Sequence, residues 1–304
     1  MPPSKHKMTF CGGFLLKLIT LLLLNVFICR FACAEFVVSI RSPESLADTR
    51  EAYSFELIKL VMDKTKEKYG DYRLQPIPAM NRPRAKYAAK LKIYPNLLLE
   101  ESYDKEFSVK GDLTFINFPV ELGILGYRIC FVNPKIKEDL KRVTSVEKLK
   151  KYSMGQGIGW IDTNILRANG FQIAEIPSYS GMFKMTAAGR VDLFCRGANE
   201  IRGEYEAFKY ITELTYDETF VLTYALPRFY YTNSENTLLI ARVQEGLIIL
   251  YKDGSLKHLW LKHQTANLDF VKLHQRKIFT LANPFIADLP KDYEQYTFEK
   301  IIVK

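Results

Sequence analysis

Arg84 is the side chain of this chain best suited to grip an anion. A guanidinium is a planar fork of donors that matches a carboxylate two to two, and the free amides of a helix start aim further donors at the same place. Asn81 and Pro83 mark such a start, because asparagine caps a helix and proline fits its first turn, so Arg82 and Arg84 head a basic helix running to Lys92. Arg84 also reads as one member of a solvated basic face with Arg82, Lys86 and Lys90. A second donor set is Gly159-Trp160-Ile161-Asp162-Thr163. Glycine allows close backbone approach, Asp162 and Thr163 stand at the head of a helix, and Trp160 offers a ring that either stacks on a ligand or packs in the core. The preceding Gly155-Gln156-Gly157-Ile158-Gly159 lacks the third spacing and the context of a dinucleotide loop, which leaves an ordinary turn or the rim of a ligand cleft. Ser42 and Glu44, just past the first strand, are candidates because ligands of open α/β sheets sit beyond the carboxyl ends of strands.

Catalytic chemistry is thinly represented. Beyond residue 34 the histidines are His258, His263 and His274, and there is no His-Glu-x-x-His, Gly-x-Ser-x-Gly or P-loop pattern. Glu100-Glu101 reads as a solvated run rather than an acid/base pair, and no cysteine or histidine spacing suggests a metal. No catalytic residue, metal or cofactor is therefore expected.

The elements that must position these residues alternate. Phe36–Arg41 is β-branched and ends at a Ser-Pro turn, an apolar stripe from Tyr53 to Met62 predicts a helix, and Tyr72–Ile77 predicts a second strand. Further strands are expected at Leu113–Ile116, Tyr127–Val132, Phe171–Ile176, Val191–Cys195 and Phe220–Ala225. Helices are expected at Asp162–Asn169, Ser180–Ala188, Thr237–Tyr251 and Ser255–His263, the last ahead of a polar tail. This order predicts an α/β fold with partly parallel sheets.

The first 34 residues have the grammar of a cleaved secretory signal: Lys5 and Lys7, an apolar run from Leu18 to Ile28 that is too short for a membrane span, then Ala32-Cys33-Ala34. Lipidation at Cys33 is disfavoured by Arg30. Removing Lys5, Lys7, Lys17 and Arg30 lowers the net charge from +9 to +5, and the remaining basic residues are interleaved with acids, which excludes a nucleic-acid tract. Cys130 and Cys195 remain; they either pair in an oxidising compartment or stay buried as thiols.

Three segments resemble the type II periplasmic solute-binding proteins related to the amino-acid receptors of bacterial ABC transporters (extracellular solute-binding protein family 3): Met80-Asn81-Arg82-Pro83-Arg84, Gly189-Arg190-Val191-Asp192-Leu193-Phe194, and Glu245-Gly246-Leu247 through Lys252-Asp253-Gly254-Ser255. Residues 93–112 depart from the family's pattern. The resemblance implies a two-lobed α/β fold with a ligand cleft between lobes: signal peptide 1–34, first lobe 35–126, second lobe 127–226, and a return to the first lobe over 227–304. It puts Arg196 at the cleft, where it closes on an acidic ligand or else forms a structural ion pair with Glu200. The expectation is a periplasmic monomer that captures a small polar solute, amino-acid-like or another carboxylate, by hinge closure, with Ser42, Asn81, Arg82, Arg84, Trp160, Asp162, Thr163 and Arg196 on the ligand. A membrane permease or a sensor kinase would be its partner. Two alternatives stay open: an orphan exported domain acting through protein contacts, and an enzyme such as a dehydratase using Glu44, Asp162 or Glu200.

Overall fold

The computed structural model describes residues 35–42, 52–105 and 111–298. The expected signal peptide, its Cys33 and the candidate Glu44 lie outside the described residues.

In chain order the first elements are β1 (Phe36–Arg41), α1 (Ala52–Lys64), α2 (Lys66–Tyr69), β2 (Tyr72–Ile77), α3 (Arg82–Lys90), β3 (Leu99–Ser102) and β4 (Leu113–Phe115). Then come β5 (Tyr127–Val132), α4 (Lys137–Leu140), α5 (Val146–Leu149), β6 (Met154–Gly157), α6 (Ile161–Ala168), β7 (Ile173–Ile176), α7 (Tyr179–Ala187), β8 (Leu193–Gly197), α8 (Ile201–Phe208), β9 (Thr215–Tyr216) and β10 (Phe220–Thr223). The last are β11 (Arg228–Asn233), α9 (Thr237–Lys252), α10 (Ser255–Val271) and β12 (Lys277–Thr280).

Two bodies result. In one, β1 pairs with β2, and β11 lies antiparallel between β3 and β4. The core there packs Ala85, Ala88 and Ala89 of α3 against Leu99, Phe229 and Tyr231. In the other, seven strands form one sheet in the order β12-β10-β5-β8-β6-β7, with β9 pairing on β5. Strands β6, β7 and β8 run parallel, and the antiparallel β5 sits between β8 and β10. The buried run Ile129–Val132 and Leu193–Cys195 explains that centre: a strand with neighbours on both sides and both faces covered is apolar throughout.

The chain crosses between the bodies at Gly126–Tyr127 and again at Leu226–Arg228. The two crossings touch. A Cβ on Gly126 would stand 2.5 Å from the Tyr224 carbonyl oxygen, so only glycine lets the strands lie this close.

Three differences from the sequence reading have physical causes. Met154–Gly157, read as part of a glycine turn, is an interior strand, and it takes glycine because a Cβ on Gly155 would stand only 3.0 and 3.3 Å from the side chains of Ile176 and Val191. Strand β11 is buried but begins directly after Pro227, which masked it. Residues 277–280 do not belong to the first body as the expected boundary has it: β12 pairs in parallel with β10 from Phe220↔Lys277 to Thr223↔Thr280. Arg276 fixes this return by donating to the carbonyls of Val271, Asp217 and Phe220.

Cys130 and Cys195 face each other across β5 and β8 and are joined by a disulfide. The bond spans 65 residues, for which chain entropy gives about 4 kcal/mol of stabilisation. Replacing both cysteines by alanine should lower the unfolding free energy by an amount of that order, read from denaturant titration, and added reductant should leave the variant's curve unchanged.

Candidate functional site

The two bodies meet at a cleft lined by charged side chains. Arg82, in the first turn of α3, pairs with Glu101 of β3. Lys86, one helical turn on, shares its face and lines the same cleft. Arg84 does not. Two residues along a helix is about 200° of rotation, so Arg82 facing the cleft puts Arg84 on the opposite, exposed side, where its backbone amide donates to the Asn81 cap at 3.1 Å. The solvated-face account therefore holds for Arg84. Asn81 is an exposed cap, and the half-buried Ser42 is not part of the cleft wall.

The second body supplies the other wall. Asp162 in the first turn of α6 is buried and accepts from Arg128 Nη2 and from the Tyr224 hydroxyl, both at 2.5 Å. Arg196, at the end of β8, is taken up by two carboxylates: Nη2 lies 2.7 Å from both Glu200 and Glu204, and Nε also donates to Glu204. Of the two accounts of Arg196, the ion pair with Glu200 is the observed one, with Glu204 added. Its guanidinium also lies 4.7 Å over the Trp160 ring.

Trp160 and Thr163 flank the start of α6. No side chain caps this helix, whose N-cap is Trp160 itself. The Thr163 hydroxyl is buried and has no hydrogen-bond partner among the described residues. The inner chamber beside Arg82, Arg128 and Asp162 holds only about 20 Å³, space for a single water. It continues outward into a mouth of about 480 Å³ between α3 and α6, bordered by Pro83, Lys86 and Asp104 on one side and Trp160, Thr163 and Arg167 on the other.

Sequence reasoning missed the floor of this junction. Arg128 and Arg228 each stand at the head of an apolar strand after a crossing; Arg128 is buried, and the half-buried Arg228 lies 3.3 Å from Glu100. A charged residue opening an otherwise apolar strand was the available signal. Glu100 and Glu101, read as a solvated run, instead pair inward.

Burial pushes the carboxyls of Glu101, Glu121 and Glu200 up, and their neighbours decide the outcome. For Glu200, burial is outweighed by Arg196, then Arg228 and Arg128, and its pKa is held down at about 2. Glu101 is likewise held low, by Arg82, Lys86 and Arg41 against burial. Glu121 goes the other way: burial and then the neighbouring Glu100 raise it well above the ordinary value. Its polar contacts are Asn199 Nδ2 at 3.3 Å and the Glu100 carboxyl. Burial also depresses Lys86.

This arrangement has solved counterparts. An ancestral arginine-binding protein bound to arginine matches with TM-score 0.56 and 13% identity, over 75% of this chain and 98% of that one. The GluR0 ligand-binding core in complex with L-glutamate matches with TM-score 0.57 and 10% identity, over 76% and 99%. A histidine kinase sensor domain with similarity to periplasmic binding proteins matches with TM-score 0.53 and 16% identity, over 76% and 96%. This chain has the type II periplasmic-binding-protein fold. The type II architecture makes the junction between β3, α3 and β11 on one side and α6 and β8 on the other an interlobe cleft. No family model matches the sequence, and no curated protein matches it.

Two outcomes are expected. Arg128→Ala leaves Asp162 buried without its guanidinium, and should destabilise by about 3–5 kcal/mol in denaturant titration. Glu121, with its folded pKa above the unfolded one, binds its proton more tightly in the folded protein. Stability is therefore lost as pH rises from the ordinary carboxylate value of 4.5 toward the raised one. Glu121→Gln has no proton to lose, so unfolding midpoints plotted against pH should coincide at the acid end and separate at the alkaline end, with the variant more stable.

Proposed function

We propose that the chain is an exported periplasmic binding protein that captures a small polar solute, amino-acid-like or another carboxylate, by closing its two lobes on it. One observation carries the reading: the uncapped start of α6, with the buried Thr163 hydroxyl lacking a partner among the described residues, opens on a mouth of about 480 Å³. Free helix amides with a hydroxyl and a nearby ammonium suit a carboxylate. Here the ammonium is that of Lys86. The carboxylate of Asp104, on the same wall as Lys86, suits a solute's amine, and the volume falls within the range of small-molecule sites.

Capture without chemistry fits the state of the acids. Asp162 and Glu200, which a dehydratase would need for proton transfer, are each tied to guanidiniums. Solved proteins of this fold include the substrate-binding protein of an amino-acid ABC transporter and a kinase sensor domain, in keeping with delivery to a permease or a sensor kinase. Export rests on the signal-like residues 1–34; among the described residues no helix is long and apolar enough to cross a membrane.

A second reading, an orphan domain acting through protein contacts, is favoured by the 20 Å³ chamber, whose guanidiniums are already matched by the protein's own carboxylates. A thermal-shift screen against amino acids, dicarboxylates, sugars and polyamines separates the two, because a ligand of the native state must raise the melting temperature. Capture predicts a shift with carboxylate-bearing amino acids that is reduced in Thr163→Val and Lys86→Met. No shift with any solute supports the orphan reading.

A further inference from the structure

The helix α10 belongs to neither body alone. Its 17 residues, at about 1.5 Å each, make a rod about 25 Å long. The first half is seated in the first body: it packs on α1 and α9, Leu256 and Trp260 are fully buried, and Glu56 of α1 stands 2.6 Å from Lys262 and 3.4 Å from His263. The second half reaches the other body. Asn267 donates to the backbone carbonyl of Asn199, just ahead of α8, at 3.0 Å. Phe270 sets its ring against Tyr205 of α8 and Tyr216 of β9, with centroids 6.2 and 5.0 Å away. Past the helix end, Arg276 donates at once to the carbonyls of Val271, Asp217 and Phe220, which ties the last turn of α10 to the seven-stranded sheet.

The crossings at Gly126 and Leu226 are the natural pivot between the bodies, and contacts beside a pivot change little in a swing. Leu125 and Gly197 make such a contact, since a Cβ on Gly197 would stand 2.8 Å from the Leu125 side chain. The grip of Phe270 lies further out. Tyr216 pairs with Phe131, four strand residues beyond Tyr127 and so about 13 Å from the crossing. A rod seated on both sides of a pivot fixes the angle across it, and α10 has no proline or glycine at which to kink. We infer that α10 is a brace between the lobes: the hold of Asn267 and Phe270 on α8 and β9 sets the width of the cleft mouth, and wider opening requires that hold to be released. The seat in the first body is the deeper one, with Trp260 fully buried where Phe270 is half-buried, so release falls on the Phe270 side. The brace is a property of the chain without solute, and goes beyond the question of what the cleft captures.

Spin labels at Tyr87→Cys and Asn164→Cys, two exposed residues on opposite sides of the mouth, read its width by electron dipolar spectroscopy on the full chain without solute. The parent should give one narrow distance distribution. Asn267→Ala combined with Phe270→Ala should shift it to longer distances and broaden it. Asn267→Ala combined with Phe270→Leu keeps an apolar side chain at position 270, serves if the first variant does not fold, and should shift the distribution the same way by less. Cys130→Ala with Cys195→Ala, which removes the disulfide without touching α10, should keep the parent's distribution. A shift of equal size in that control assigns the opening to general loss of stability and overturns the brace, as does an unchanged distribution in the α10 variants. With no solute in the sample, the result is independent of the thermal-shift screen: capture can fail there while the brace stands, and the brace can fail while capture stands.

Discussion

Charge matching at the lobe junction is the constraint on which the rest depends. Arg82, Arg128, Arg196 and Arg228 all leave water in the folded protein, with side chains no more than 12% exposed. Removing a guanidinium from water costs several kcal/mol unless geometry and hydrogen bonds return it. Each therefore has its own acid: Glu101, Asp162, Glu200 with Glu204, and Glu100. These acids come from β3, α6 and α8, so the secondary structure cannot shift without separating a buried pair. Glu121 differs: burial and the neighbouring Glu100 outweigh the pull of Arg228, and its pKa is raised rather than lowered.

The same matching explains why the site was only partly legible. Periodicity identified α3 and α6, and chemistry identified Arg82, Trp160, Asp162 and Thr163, all of which border the cleft. Arg84 was preferred over Arg82 because both are arginines at a helix start; which one faces inward depends on the rotation of α3 about Ala85, Ala88 and Ala89, and that is settled by packing against β3 and β11. Glu100 and Glu101 look like surface residues because nothing in a linear sequence says that Arg82 and Arg228 will come to meet them. The strands told a similar story. Tyr127–Val132 declares itself by its apolar run, whereas Met154–Gly157 has almost no side chains to read, its identity being imposed by close neighbours on both sides.

The proposed capture rests on the few places where matching is left incomplete. The Thr163 hydroxyl has no hydrogen-bond partner among the described residues, and no side chain caps the head of α6. They stand at the rim, outside the chamber where the arginines are all paired. A solute would meet rigid charges behind and open donors in front.

The tail strand changes what kind of motion the lobes can make. After α10 the chain enters the second sheet as β12, then leaves it again, so that Leu289 and Tyr293 pack in the first core. Together with the strands at Gly126 and Leu226, this gives four covalent passages between the lobes among the described residues. Two adjacent strands form a flexible strap that tolerates twisting as well as bending. Two further passages through a separate strand restrict the twist, so that any closing of the lobes would follow a single axis.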